Sequence, residues 1–245
     1  MTMTLDETHD PALRSFVASA NAPDGDFPIQ NLPYAVFRRR SDNAPPRVGV
    51  AIGAEILDIA AVAHFMDGAA ASAAAACASP HLNALMECGP AAWAALRAGL
   101  SQLLRSDAAR RAEVERHLTP IDDAELLLPV RICNFTDFFA SIFHATNTGR
   151  MFRPDNPLMP NYKYVPVAYH SRASSVQVSG MSVRRPLGQT RRPDDAAPVY
   201  RASRNLDYEL ELGFYIGTPS TLGEPVPIAT AGDHVFGDIL CGPTA

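Results

Sequence analysis

The sequence predicts a mixed β/α protein in two parts, and three observations carry that reading. Short runs rich in β-branched and aromatic residues, separated by close turns, occupy residues 27–59. A stretch dominated by Ala, Leu, Arg and Glu follows over residues 60–118 and has helical texture. β texture returns from about residue 126 with long loops between the runs. Fifteen glycines and 21 prolines in 245 residues also favour loop-rich β architecture over a helical bundle.

Taken in order, residues 1–24 are polar and read as a loose arm. Residues 34–37 (YAVF) form a first strand candidate. A charged turn over residues 38–42 and the pair Pro45 and Pro46 separate it from a second, VGVAI at residues 48–52. Gly53 sits where a tight turn belongs, and residues 56–59 (ILDI) resume the strand. Such spacing suggests a small barrel or meander. Pro80 and the Gly89–Pro90 pair punctuate the helical stretch. Residues 119–123 (TPIDD) read as a hinge, which sets the expected domains at 1–125 and 126–245. In the second part, residues 165–169, 176–178, 207–216 and 234–240 are strand candidates. Residues 184–197, basic and Pro-rich, read as a surface loop.

Composition narrows the function classes. Twenty-one Lys and Arg against 26 Asp and Glu give a net charge of −5, which argues against nucleic acid or an anionic membrane as the main partner. With 47% hydrophobic and 19% charged residues, the chain belongs with globular proteins. No basic region followed by an apolar run opens the chain, so a signal peptide is not expected. No stretch approaches the roughly 18 apolar residues of a membrane helix. The four cysteines, Cys77, Cys88, Cys133 and Cys241, are far apart and form no CxxC, so a reduced, cytoplasmic setting is the expectation.

Three groups of residues can carry chemistry. In the first, Asp137 and His144 stand seven apart. On one helix they would share a face about 10 Å apart, suited to flank a metal-bound water or a substrate. An N-capping aspartate beside a partly buried histidine is the plainer alternative. In the second, DYELEL at residues 207–212, strand alternation places Asp207, Glu209 and Glu211 on one face. Stacked carboxylates repel unless they face water or share a cation, and hard oxygen donors suit Ca²⁺, Mg²⁺ or Mn²⁺. The wet face of an edge strand explains them equally. In the third, Arg153 can clamp a carboxylate bidentately and Tyr169 can donate to one. His170 and Arg172 nearby can equally be structural hydrogen-bonders.

Together these strings resemble the fumarylacetoacetate hydrolase family. They are DFPIQNLP (26–33), GVAIG (49–53), TDF (136–138), HATN (144–147), MFR (151–153), YH with RASS (169–175), and LD with ELE (206–211). They run in family order along nearly the whole chain. The resemblance implies an N-terminal SH3-like small barrel with helices and a C-terminal mixed β-roll. It implies Ca²⁺ or Mg²⁺ held by Asp137, Glu209 and Glu211, and His144 as the general base that activates water. Arg153 and Tyr169 are implied as contacts to a small diketo-dicarboxylate substrate, with Phe139 in the place of a family tyrosine. The implied reaction is metal-dependent hydrolysis of a carbon–carbon bond, giving fumarate and acetoacetate in tyrosine and phenylalanine breakdown. Full-length relatives are expected to be homodimers.

The departures carry their own expectations. Phe139 loses a hydroxyl donor, residues 142–143 (IF) replace a more polar pair, and Ser171 replaces a glycine. Where the family continues with NDWSARD after residues 236–237, this chain reads DILCGPTA over residues 238–245. The expectation is a truncated catalytic domain, weakly active or inactive. A non-catalytic remnant or interaction module, and a related oxo-acid decarboxylase or hydratase, are the alternatives.

Overall fold

A computed structural model describes residues 5–170, 172–206 and 208–241, with Cys241 described in its backbone alone. It divides into two units, one formed by Met1–Val130 and Val178–Ala245, the other by Arg131–Gln177.

The first unit is built on an antiparallel sheet. Its strands are β1 (Tyr34–Arg39), β2 (Arg47–Ile52), β3 (Glu55–Asp58), β4 (Leu118–Pro120) and β5 (Ala124–Leu127), in the order β4-β3-β2-β1-β5. The first three match the sequence expectation closely. Gly53, at φ +57°, opens the two-residue β2–β3 turn, and a Cβ there would collide with the backbone of Ala20. Two strands separate β1 from β4 in this order. Even so, Arg39 Nε on β1 donates to Thr119 Oγ1 on β4 at 3.0 Å, so the sheet curls. Val36, Val48, Val50, Ile52 and Leu57 on one face of the sheet, and Phe37 and Ile56 on the other, are essentially buried. The mixed β/α expectation holds.

Two readings are corrected. The expected hinge at residues 119–123 carries part of β4 and leads into β5, which pairs with β1. Short, Pro-containing strands look like linkers in sequence, and their pairing partners lie more than 60 residues away. The expected loose arm is also packed. Phe16, Val17 and Ala20 are buried, and Ser15 Oγ donates to Leu104 O at 2.8 Å. Arg97 fastens the following segment by donating to Thr8 Oγ1, Asn31 O and Gln30 O.

Four helices complete this half: α1 (Gly68–Ala76), α2 (Asn83–Met86), α3 (Pro90–Leu104) and α4 (Arg111–Val114). Pro90 starts α3 where its missing N–H costs nothing. Ala92, Leu96, Leu100 and Leu104 recur every fourth residue and form its buried face. On this core Cys77 is buried, and its thiol donates to Ala73 O at 3.3 Å. Burial first, then the charges of Cys88 and Asp58, push that thiol up to about 12. It stays protonated and shielded at neutral pH. A thiol-reactive dye is therefore expected to modify exposed Cys88 and Cys133 rapidly and Cys77 at the rate of unfolding. Fast labelling of Cys77 in the native protein would contradict the packing described.

The same unit holds two hairpins from later in the chain. β8 (Leu187–Thr190) pairs with β9 (Val199–Ala202), and β10 (Glu211–Ile216) pairs with β11 (Val235–Cys241). The strands expected at 207–216 and 234–240 are therefore present in large part. The basic loop expected at 184–197 instead contributes β8 and the turn of a hairpin, and no strand forms at 176–178. Phe236 fastens the β10–β11 hairpin to the core. Its ring meets Trp93 edge-on at 4.9 Å and stacks on Tyr34 at 6.0 Å.

The β10–β11 hairpin turns its apolar side outward. Leu212, Phe214 and Ile216 are about 60% exposed, whereas Glu211, Gly213 and Tyr215 are half-buried. Exposed Leu240 lies opposite Leu212 on the same face. Such a patch favours association. Light scattering is expected to show concentration-dependent association that the double change Leu212→Lys, Phe214→Lys reduces. Unchanged association in that variant would place the sticky surface elsewhere.

The second unit is small. It contains β6 (Thr136–Phe138), β7 (Ala168–His170) and α5 (Ile142–Phe152). Its buried side chains among the described residues include Ala145 and Tyr162.

Candidate functional site

In the second unit, β6 and β7 pair antiparallel so that Asp137 faces Tyr169 across the ladder. Directly opposed residues lie close enough for their side chains to meet. The Tyr169 hydroxyl accordingly donates to Asp137 Oδ2 at 2.7 Å. Asp137 is half-buried and Tyr169 exposed, so the pair stands at a solvent boundary. A carboxylate holding one phenol donor keeps further lone pairs for another donor or a cation.

The chain then places Phe139 beside this pair. Its N–H donates to Val167 O at 2.8 Å, and its carbonyl accepts from the hydroxyl of buried Tyr162 at 2.6 Å. The first bond extends the β6–β7 register by one step, and the second anchors Phe139 from outside the ladder. Ser141 caps α5, its hydroxyl accepting from His144 N–H at 3.4 Å. The cap puts His144 in the first turn, exposed, with its ring edge-on to Phe139 at 4.7 Å. The C-terminal end of α5 passes close to the chain: a Cβ on Gly149 would collide with the carbonyl of Pro157. Arg153 caps that end and is exposed.

Asp137 and His144 therefore do not share a helix. Asp137 belongs to strand β6, and α5 starts only at Ile142. The heptad argument fails because strand pairing with β7 claims residues 136–138 before the Ser141 cap can nucleate the helix. The structure does bring together Asp137 with Tyr169, and His144 with Phe139. Sequence reasoning missed Tyr162, the buried anchor of Phe139. An aromatic followed by Lys163 and Tyr164 gave no sign of which ring would be inside.

In the first unit, Glu211 opens β10 opposite Cys241 and is half-buried, while Glu209 precedes the strand and is exposed. Asp207 lies outside the described residues. Among the described residues no group of three or more His, Cys, Asp or Glu side chains stands together to hold a metal ion. The donors themselves, carboxylates from Asp137, Glu209 and Glu211, are of the hard oxygen type that suits Ca²⁺ or Mg²⁺. No helix among the described residues is long and apolar enough to cross a membrane.

Comparison with known proteins places the sequence. Residues 30–129 match the family model described as fumarylacetoacetase N-terminal. The chain is 49% identical over 225 residues to the fumarylacetoacetase of Bos taurus, covering 89% of this chain and 54% of that protein. The Homo sapiens fumarylacetoacetase is 47% identical over the same span and coverage. That of Caenorhabditis elegans is 44% identical over 235 residues, or 93% of this chain and 56% of the relative. The chain thus spans about half the length of the curated relatives it matches.

Proposed function

We propose, for a chain that belongs to the fumarylacetoacetase family, that its site residues serve the hydrolysis of a carbon–carbon bond in fumarylacetoacetate. Water adds across the bond, and fumarate and acetoacetate leave. The observation that supports this reading best is the grouping in the second unit. The Tyr169–Asp137 hydrogen bond and the His144–Phe139 ring contact are both made there, and Asp137, His144 and Tyr169 come from three separate family strings.

His144 acts as the general base. It is exposed at the start of α5, where water reaches its ring, and an imidazole can accept a proton from water and return it to the leaving carbon. Arg153 offers a planar fork of donors that matches one substrate carboxylate and fixes its orientation. Tyr169 keeps Asp137 oriented and is, with Arg153, a contact to substrate in this reading. Phe139 supplies an apolar wall beside the base where a hydroxyl is expected in the family, so one polar contact to substrate is lost. The family resemblance assigns a divalent cation, Ca²⁺ or Mg²⁺, to Asp137, Glu209 and Glu211. When bound it supplies Lewis-acid polarisation of the diketo oxygens.

The same reading takes the curled sheet as an SH3-like barrel, residues 126–245 as part of a mixed β-roll, and the cytoplasm as the setting. A homodimer is the proposed assembly of full-length relatives. A non-catalytic interaction role is the second reading, and a specific observation favours it. Leu5 apart, the large apolar side chains left exposed among the described residues all lie at Leu126 or beyond.

Loss of fumarylacetoacetate absorbance on adding the purified chain tests the first reading. No turnover at any divalent-cation concentration would favour the second. Calorimetric titration with Ca²⁺ tests the metal independently of turnover. With three carboxylates the expected dissociation constant is about 10⁻⁴–10⁻³ M, the range of weak oxygen sites. Glu209→Gln is expected to remove the heat of binding. Unchanged binding in that variant would take Glu209 out of the ligand set.

A further inference from the structure

The face of the curled sheet that carries Phe37 ends in a small cleft that the proposed reaction does not use. Its volume is about 70 Å³, and Phe37, Arg39, Asp42, Ala44, Arg47 and Asp58 line it. Strand geometry explains the grouping. Phe37 and Arg39 alternate onto one face of β1, and Arg47 on β2 lies directly opposite Phe37. Asp58 on β3 lies opposite Gly49, which shares the face of Arg47. The sheet curls over this face, since Arg39 reaches Thr119 on β4. Residues 40–46, the loop from β1 to β2, bring Asp42 and Ala44 to the same cleft. Asp42 Oδ1 accepts from Ala44 N–H at 3.1 Å, and Pro45 and Pro46 stiffen the return to β2. The mouth of a curled sheet is a recurrent place for a ligand.

The charges in the cleft divide into a closed pair and an open one. Asp58 is buried and satisfied at both oxygens. Its Oδ2 accepts from Arg47 Nη1 at 2.8 Å, and its Oδ1 accepts from Ala61 N–H at 3.3 Å. Arg39 is half-buried and donates through Nε to a neutral group, Thr119 Oγ1, at 3.0 Å. Asp42 is exposed and caps its own loop. Among the described residues neither Arg39 nor Asp42 belongs to an ion pair. One cation and one anion therefore line the same small cleft without meeting each other. A simple anion would satisfy Arg39 and be repelled by Asp42, and a simple cation would meet the reverse. A ligand that carries both charges on neighbouring groups answers both.

We propose that Arg39 and Asp42 form a site for a small α-amino acid zwitterion, its carboxylate on Arg39, its ammonium on Asp42 and its carbon against Phe37. Size restricts the ligand. A water-sized centre needs roughly 10–15 Å³ of such space, so the cleft takes about five non-hydrogen atoms, the scale of glycine or alanine. A larger amino acid would have to leave its side chain outside the mouth. The site shares no residue with the proposed hydrolytic site and needs no metal.

The test is titration of the full, nitrogen-labelled chain with glycine at low ionic strength, followed by amide shifts in nuclear magnetic resonance. Saturable shifts are expected at Arg39, Asp42, Ala44 and Arg47. Arg39→Gln is expected to weaken binding at least about tenfold, the usual cost of losing a charged hydrogen-bond partner. Asp42→Asn keeps an oxygen for Ala44 N–H and removes only the charge. It is expected to weaken glycine about fivefold, the upper end for an exposed ion pair. Acetate, which lacks the ammonium, is expected to bind the wild type about fivefold more weakly than glycine does. Arg38→Gln, on the other face of β1 and paired with Glu125, is expected to leave glycine binding unchanged. Should Arg39→Gln unfold, Asp42→Asn carries the test, since Asp42 is exposed on a loop. Equal binding of acetate and glycine, equal glycine binding by wild type and Asp42→Asn, or no saturable shift at these residues would overturn the proposal.

Discussion

His144→Ala is expected to lower any measured hydrolysis of fumarylacetoacetate by about 10²–10⁴-fold, the usual cost of losing a general base. The reasoning starts from position. His144 lies in the first turn of α5, exposed, with Ser141 capping the backbone beneath it. Its side chain is exposed and meets Phe139 edge-on. The variant should melt close to the wild-type temperature while its rate collapses. His144→Gln should fail as badly, because glutamine keeps hydrogen bonding but cannot take a proton. A rate within twofold of wild type in either variant would remove His144 from the mechanism. A rate that falls together with the melting temperature would mean that the ring is structural.

Phe37→Ala should produce the largest loss of stability, about 3–5 kcal/mol. Phe37 is almost wholly buried on β1, packed with Ile56 and Ala124 and bordered by Ile121. It lies under three strands of the sheet at once, so little can collapse into the space it leaves. Gly49 on β2 leaves room for it: a Cβ there would collide with the Phe37 ring and with Ile56 Cγ2. Urea denaturation followed by far-ultraviolet circular dichroism measures the effect. Phe138→Ala is the comparison, since that ring is exposed on β6 and its loss should cost less than about 0.5 kcal/mol. Equal costs for the two would show that the first unit's core does not govern stability.

How much could be read beforehand differs by region. Residues 34–58 were legible because apolar alternation, turn glycine and strand length all point the same way, and the partners are neighbours in sequence. β4 and β5 are not, because runs of three and four residues, the first containing Pro120, resemble a linker until β3 and β1 claim them. The site residues were legible as types and as family strings. Their arrangement is not: the spacing of seven lets Asp137 and His144 share a helix, and only the pairing of Asp137 with Tyr169 puts it on a strand. The 184–197 segment read as a loop because arginine, proline and aspartate dominate it. Cross-strand pairing of residues 187–190 with 199–202 decides otherwise.

Local pattern and side-chain type suffice for the mixed β/α class, the family and the residues with chemistry to offer. The tertiary structure alone decided which strands close the curled sheet and that Tyr169 holds Asp137. It also decided that the apolar side of β10 faces outward. Each of these rests on contacts between residues far apart in the chain, and local pattern carries no information about a distant partner.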